Sequence, residues 1–492
     1  MKSLTLWLLT GMAFLWAAPV QTAAETAFGP LVHEFGLTLE TGRRIEAAGP
    51  LYYHERGEDH TEWALPPLFA RRYDLGADKL SIDILWKLAS YDRMGPESKF
   101  NLLQLFSFGG GRSLEDEGDR KLTLFPFYFH NRSDNPERDY TAVMPFYGTL
   151  RNRLFRDEIN WVMFPLYVQT RKRDVVTDNF VLPLFHLRHG DELQGWQFWP
   201  LIGREHKGLT TRTNLVGDVI PVGPHEKSFY LWPVFLKSHT GIGQPNETLQ
   251  RAVLPLYYAQ RSEARDVTAV LWPFFTHTDD RARDYREWGL PYPFVMFAKG
   301  PGKTGGRVWP LYGQARNDTL RTRFVLGPLY RSKEVTSGNL HRFRWNSLYF
   351  LYDSLDETNT ETGKTLRRRG FTPFYHYVQD RQGNESLQIL APLETALPNS
   401  DSLRRSLSPL WSVWRSQKNP AAGKSSQSLL WNLYRRDTSP EVRRTSALFG
   451  LFRWEKHASG ERALRLFYLP RLTVGRGGTA NAALEPAQPS AP

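Results

Sequence analysis

The chain has no cysteine, so neither a disulfide framework nor a lipid-bearing cysteine is available to it. A secreted eukaryotic protein of 492 residues ordinarily carries disulfides, and their absence fits a bacterial envelope protein better. Methionine is scarce, at 6 residues, whereas 16 Trp, 21 Tyr and 30 Phe make the chain rich in aromatics, which favours strands and membrane edges. Beyond the first twenty residues no apolar run approaches the ~20 residues of a spanning helix. Membrane helices are therefore excluded from the body of the chain, and hydrophobic groups arrive there in short bursts between polar spacers.

The first residues point to export. Met1-Lys2 precedes an apolar stretch from Leu4 to Val20, and the small residues Thr22-Ala23-Ala24 stand before Glu25. A basic start, an apolar stretch and a small-residue site are the order of a secretory signal peptide, with cleavage expected after Ala24. The expected organisation is a signal peptide over 1–24, one repeat-built β domain over 25–474, and a disordered tail over 475–492 that is rich in Gly, Ala and Pro.

The body is written in one repeated phrase. Phe125-Pro126-Phe127-Tyr128 is followed by Met144-Pro145-Phe146-Tyr147, Phe164-Pro165-Leu166-Tyr167 and Leu182-Pro183-Leu184-Phe185. Later copies include Trp232-Pro233-Val234-Phe235, Leu254-Pro255-Leu256-Tyr257 and Trp309-Pro310-Leu311-Tyr312, and the spacing is roughly 17 to 22 residues. Bursts of this length, bounded by polar turn residues, read as strands rather than helices. The proline cannot donate to a ladder, and it is expected as a kink or bulge at a fixed height along each strand. Trp-Pro pairs at Trp199, Trp232, Trp272 and Trp309 alternate with units lacking that Trp, which suggests a hairpin of roughly 37 residues and an antiparallel meander.

With one strand per repeat, the expectation is an all-β antiparallel meander of about 20–24 short repeats, a number that large membrane barrels occupy. The expected architecture is a large closed β-barrel of the outer membrane, acting as a pore or as a transport or assembly component. A soluble periplasmic or surface scaffold, built as a β-propeller or sheet solenoid and binding a partner or polysaccharide, is the alternative. The two differ in where the aromatic bursts point. A barrel needs a continuous apolar exterior, whereas a scaffold buries its motifs. The resemblance to outer-membrane barrels is one of class, and it implies no functional residues.

Charge bears on partners. There are 63 Lys and Arg against 51 Asp and Glu, a net +12, and Arg follows many bursts, as at Arg71, Arg72, Arg171, Arg204, Arg331 and Arg435. These arginines read as solvated strand ends or as a ring facing lipid phosphate or an anionic polysaccharide. Outer-membrane lipid is the expected partner, and nucleic acid is not expected. Local motifs that resemble chemical sites are weak. Gly302-Lys303-Thr304 ends like a phosphate loop, but Phe297 stands where the leading glycine is needed. His33-Glu34-Phe35 lacks a second histidine, since Leu37 occupies that position. Glu115-Asp116-Glu117-Gly118-Asp119 lacks the spaced ligands of a calcium loop. No catalytic residue, cofactor or metal site is assigned from sequence, and the chain is not expected to be an enzyme.

Overall fold

The computed structural model describes residues 27–28, 31–111, 118–213 and 217–475. The expected signal peptide, the acidic residues 115–117 and residues 476–492 of the expected tail lie outside them. The described residues form one antiparallel sheet of 44 strands plus a separate two-stranded hairpin. Each strand pairs with its neighbour in sequence, from Ala27–Phe28 to Leu472–Gly475. The exception is the small hairpin Thr210–Thr213/Val219–Val222, an excursion bypassed by direct pairing of Ile202–Lys207 with His225–Tyr230. No pairing joins the first and last strands among the described residues, so the meander and the all-β class hold without an edge-to-edge closure.

The strand count corrects the sequence expectation, and the proline explains why. Each repeat contributes two strands, not one. Tyr167–Lys172 and Val175–Phe180, each 6 residues long, lie within a single repeat and pair along their length. The aromatic-Pro phrase falls in the turn between hairpins and not inside a strand. Thirteen X-Pro bonds in these turns are cis, among them Phe125-Pro126, Phe164-Pro165, Trp232-Pro233 and Trp309-Pro310. The apolar burst looked continuous because it comprises the last residue of one strand, the turn, and the first residue of the next, as in Val162 to Tyr167.

Hydrogen bonding extends through these turns. Phe164 N–H donates to the Pro145 carbonyl at 2.7 Å, and Leu182 N–H donates to the Pro165 carbonyl at 2.8 Å. Leu166 N–H turns back to the Met163 carbonyl at 2.8 Å, while its own carbonyl accepts from Val181 N–H at 2.6 Å. The same pattern ties Trp232 to Pro200 and Leu231 to Leu201, each at 2.6 Å. Proline has no N–H to satisfy, so it fits the one place in the turn where no partner is on offer. Successive turns thus stack into a rim with many of their backbone groups paired.

Register is constant along the sheet up to a bulge at Arg462/Ala463 in the last pair. Phe129, Ala142, Gly148, Trp161, Val168, Asn179, His186, Gln197 and Gly203 form one unbroken row of directly opposed residues, each second in from the apolar rim. A closed barrel of tilted strands needs an accumulating stagger, and none accumulates here. The face bearing this row is the inner one, because the two ends of the sheet meet through it. Small residues on it allow close approach. A Cβ on Gly148 would lie 2.3 Å from Ala142 Cα, and one on Gly305 would lie 2.3 Å from the Gln314 carbonyl oxygen. Gly148→Ala should therefore cost about 1–3 kcal/mol by overpacking against backbone that cannot yield. Thermal unfolding checks this, and an unchanged midpoint would mean that the inner face has slack at that row.

Candidate functional site

The two ends of the sheet are joined by charge. The first strands carry acids on the inner face and the last carry arginines, so folding the sheet back brings opposite signs together. Arg415 grips both oxygens of Glu46 at 2.9 and 3.1 Å, and Arg44 Nε and Asn432 Nδ2 reach the same carboxylate at 3.0 and 2.6 Å. Arg405 reaches Asp83 at 2.7 Å. The Arg435 guanidinium lies 3.5 Å from the centre of the Phe35 ring, within cation–π range. Burial opposes the charge on Glu46, but Arg415 and Arg44 outweigh it and hold the carboxyl below the ordinary carboxylate range. Nearby, Tyr53 donates to Glu62 at 2.6 Å, and its hydroxyl lies 3.1 Å from the Arg405 carbonyl oxygen.

Among the described residues, two short helices fill the inner side of the seam. Residues 390–413 leave the meander between Glu385–Ile389 and Trp414–Asn419 and form the short helices Asp401–Ser406 and Ser408–Trp411. Ser400 caps the first by accepting from Leu403 N–H, and Leu403 is fully buried. Glu394 anchors the segment by accepting from Gln388, Ser408 and Trp411 at 2.8, 2.6 and 2.8 Å.

Mid-sheet, the inner face has a recess of about 400 Å³ lined by His186, Arg188, Glu205, Lys227, Phe229 and Tyr258 among others. Glu205 is held by Arg188 and by His225 at 2.6 Å, with Lys227 3.9 Å away. Burial raises its pKa, but His225 and Arg188 prevail and lower it to about 2. Burial and then Arg188 lower His186 to about 4, which leaves it neutral near pH 7. A carboxylate saturated by three cationic or donor groups is a poor proton acceptor, so the recess suits binding better than acid–base chemistry.

The residues singled out by sequence are dispersed. Lys303 lies in a polar turn, pairs with Glu287 and sits 5.5 Å from the Tyr285 ring centre, where it has no phosphate-loop geometry. His33 is buried in the strand Val32–Gly36, and Glu34 pairs with Arg43 at 3.2 Å. Asp119 is buried in a strand and pairs with Lys121 at 3.1 Å. His189, His206 and His225 lie within 3.7, 3.4 and 2.6 Å of Asp178, Glu226 and Glu205 respectively, each facing a carboxylate on a neighbouring strand. The arginines divide between faces: Arg72, Arg331 and Arg435 point inward, and Arg71, Arg171 and Arg204 outward.

One set of three metal-type ligands comes together among the described residues: Glu40, Glu55 and His60. His60 Nε2 lies 3.2 Å from Glu55 and 3.8 Å from Glu40, and Arg44 takes the other Glu55 oxygen at 3.0 Å. The Glu55 hydrogen bond raises the His60 pKa, so the group reads as an ion-paired knot whose positive charge is already supplied. Sequence inspection missed both this knot and the Glu46–Arg415 pair. The available signal was the excess of acids in the first strands over the last.

A comparison with protein-family models and with curated protein sequences gives no match.

Two measurements test the seam. Glu46→Ala leaves Arg415, Arg44 and Asn432 facing a void, and urea unfolding should show a loss of about 3–5 kcal/mol. A loss under about 1 kcal/mol would mean that the pair is no more than a surface contact. His33 gives the pH dependence. Burial and the nearby Arg435 lower its pKa to about 4, so the unfolded chain takes up the proton first as pH falls below 6.5. Stability should fall by on the order of 2–3 kcal/mol between pH 6.5 and 4, and His33→Gln should flatten that slope. An unchanged slope in the variant would assign the loss to other groups.

Proposed function

We propose that this chain is an exported component of a bacterial cell envelope, working at the outer membrane as a transport or assembly part. In this reading the inner face of the curled sheet handles a polar solute or polymer. The observation that carries it is the separation of chemistry within one sheet. Apolar groups gather along one rim, while the inner row is small, polar or charged for long stretches, as at Ser90, Asn101, Ser107 and Thr123 and again at Arg415, Ser428, Arg435 and Ser446.

An ordinary spanning pore is disfavoured on two grounds. A strand of 6 residues rises only about 20 Å, whereas a spanning strand takes ~9–11 residues tilted near 45°. The constant register also lacks the stagger that goes with such tilt. The second reading, a periplasmic or surface scaffold that binds a partner or polysaccharide, is favoured by the recess beside Phe229 and Tyr258.

Fractionation of native envelopes followed by a carbonate wash tests the choice. The proposal expects the protein to remain with outer membranes. Release into the soluble fraction without detergent would sink it in favour of the scaffold. Discrete unitary conductance in planar bilayers, with a band that shifts on heating in gels, would restore a closed pore.

A further inference from the structure

We infer that the rim of aromatic-Pro turns is a lipid-docking edge that enters one leaflet of a bilayer, with outward arginines at the level of anionic headgroups. The inference rests on the membrane reading above and adds which part of the chain meets lipid, and how deeply.

Three independent features meet at this edge. The first is exposure. Phe127 and Leu256 are each 60% exposed and Leu311 is 57% exposed, and every copy of the motif puts its apolar side chains in the same row of turns. The opposite row of turns is polar in most copies, as at Gly57-Glu58-Asp59 and Asp380-Arg381-Gln382. Leu154-Phe155 is its most exposed apolar exception. A contiguous apolar edge of this extent marks an interaction surface.

The second feature is the pairing of the rim backbone. Lipid tolerates a chain segment only if its N–H and C=O groups are satisfied within the protein. The turn-to-turn bonds, such as Phe164 to Pro145 and Trp232 to Pro200, do this for much of the rim, and proline removes a further donor from each turn.

The third feature is the order of side chains going up the outer face. The residue next to nearly every turn is apolar, as at Tyr167, Phe235, Val253, Val325 and Phe371, with Ser347 an exception. Two residues further, about 7 Å up the strand, the row is mixed: Lys237, Arg251, Arg323 and Arg369 stand there on four strands, and Leu187, Trp196 and Phe297 on others. All four cations are exposed, and none has a carboxylate partner among the described residues. On those four strands, turn plus first row gives an apolar depth of roughly 10 Å, less than the ~15 Å of one leaflet's hydrocarbon. The positive charges above it match phosphate, which commits the occupant to a lipid surface and disfavours a second copy of the same basic rim.

Because the chain has no cysteine, single cysteines bearing an environment-sensitive fluorophore can report depth. Purified protein labelled at Leu256→Cys or Leu311→Cys on the rim, Thr268→Cys on the outer mid-strand, or Gln382→Cys on the polar edge is mixed with phosphatidylglycerol-containing vesicles and floated. The expected result is co-flotation, with a several-fold emission rise and quenching by acyl-brominated lipid at the two rim labels alone. Equal quenching at Thr268→Cys, which stands level with Arg251, would put that row inside the hydrocarbon, and absence of flotation would mean that the rim is covered by protein. Either outcome overturns the inference, whatever compartment fractionation finds. Replacing Arg251, Arg323 and Arg369 together with Gln should weaken binding to the anionic vesicles roughly a hundredfold at low salt. Equal binding of the parent protein to pure phosphatidylcholine would remove the arginines from the account.

Discussion

The structure depends on keeping the backbone paired where the chain turns back. A meander of 6-residue strands spends much of its length in turns, and in most proteins those turns hand their polar groups to water. Here one row of turns hands them to the neighbouring turn, as Phe164 does to Pro145 and Leu182 to Pro165. The ladder therefore continues past the strand ends, and the turn side chains are free to be apolar. Proline is compatible with that arrangement because it brings a carbonyl acceptor and no donor. The rim, the short strands and the constant register follow from repeating this unit.

Constant register has a cost in closure. A sheet without stagger cannot easily join its edges as a tilted barrel does, and the two ends must be managed another way. They are brought together face to face. Glu46 and Asp83 on early strands meet Arg415 and Arg405 late in the chain, and Phe35 meets Arg435. The helical segment around Leu403 fills the space between them. Charges buried this way contribute little net stability compared with apolar packing, but they forbid most alternative alignments of two polar faces. The small residues of the inner row, such as Gly148 opposite Ala142, let the faces approach.

The site chemistry follows the same division. The inner face holds its charged groups in saturated sets, with Glu205 among Arg188, His225 and Lys227, and Glu55 between His60 and Arg44. Such sets suit recognition and structure better than proton transfer. The outer face instead leaves cations such as Arg251 and Arg323 exposed above an apolar edge. The two faces thus carry different chemistry, one polar and one amphipathic.

Much of the fold could be read from the chain, because its signal is local. The Pro-centred phrase recurs at hairpin length, so the all-β class and the sequential meander were legible from residues a few positions apart. The strand count was misread because Val162, Met163, Phe164, Leu166 and Tyr167 are apolar alike, and hydrophobicity does not mark where a strand stops and a turn begins. Pairing decided that, since only the structure shows which N–H groups have partners. The seam was not legible at all. Glu46 and Arg415 lie 369 positions apart, and neither stands in a distinctive local pattern. The sequence alone determined the repeating unit and its Pro-centred phrase, because hairpins are built from neighbours. Only the tertiary structure decided which face turns inward and which charges meet there, because that depends on curvature summed over the whole sheet.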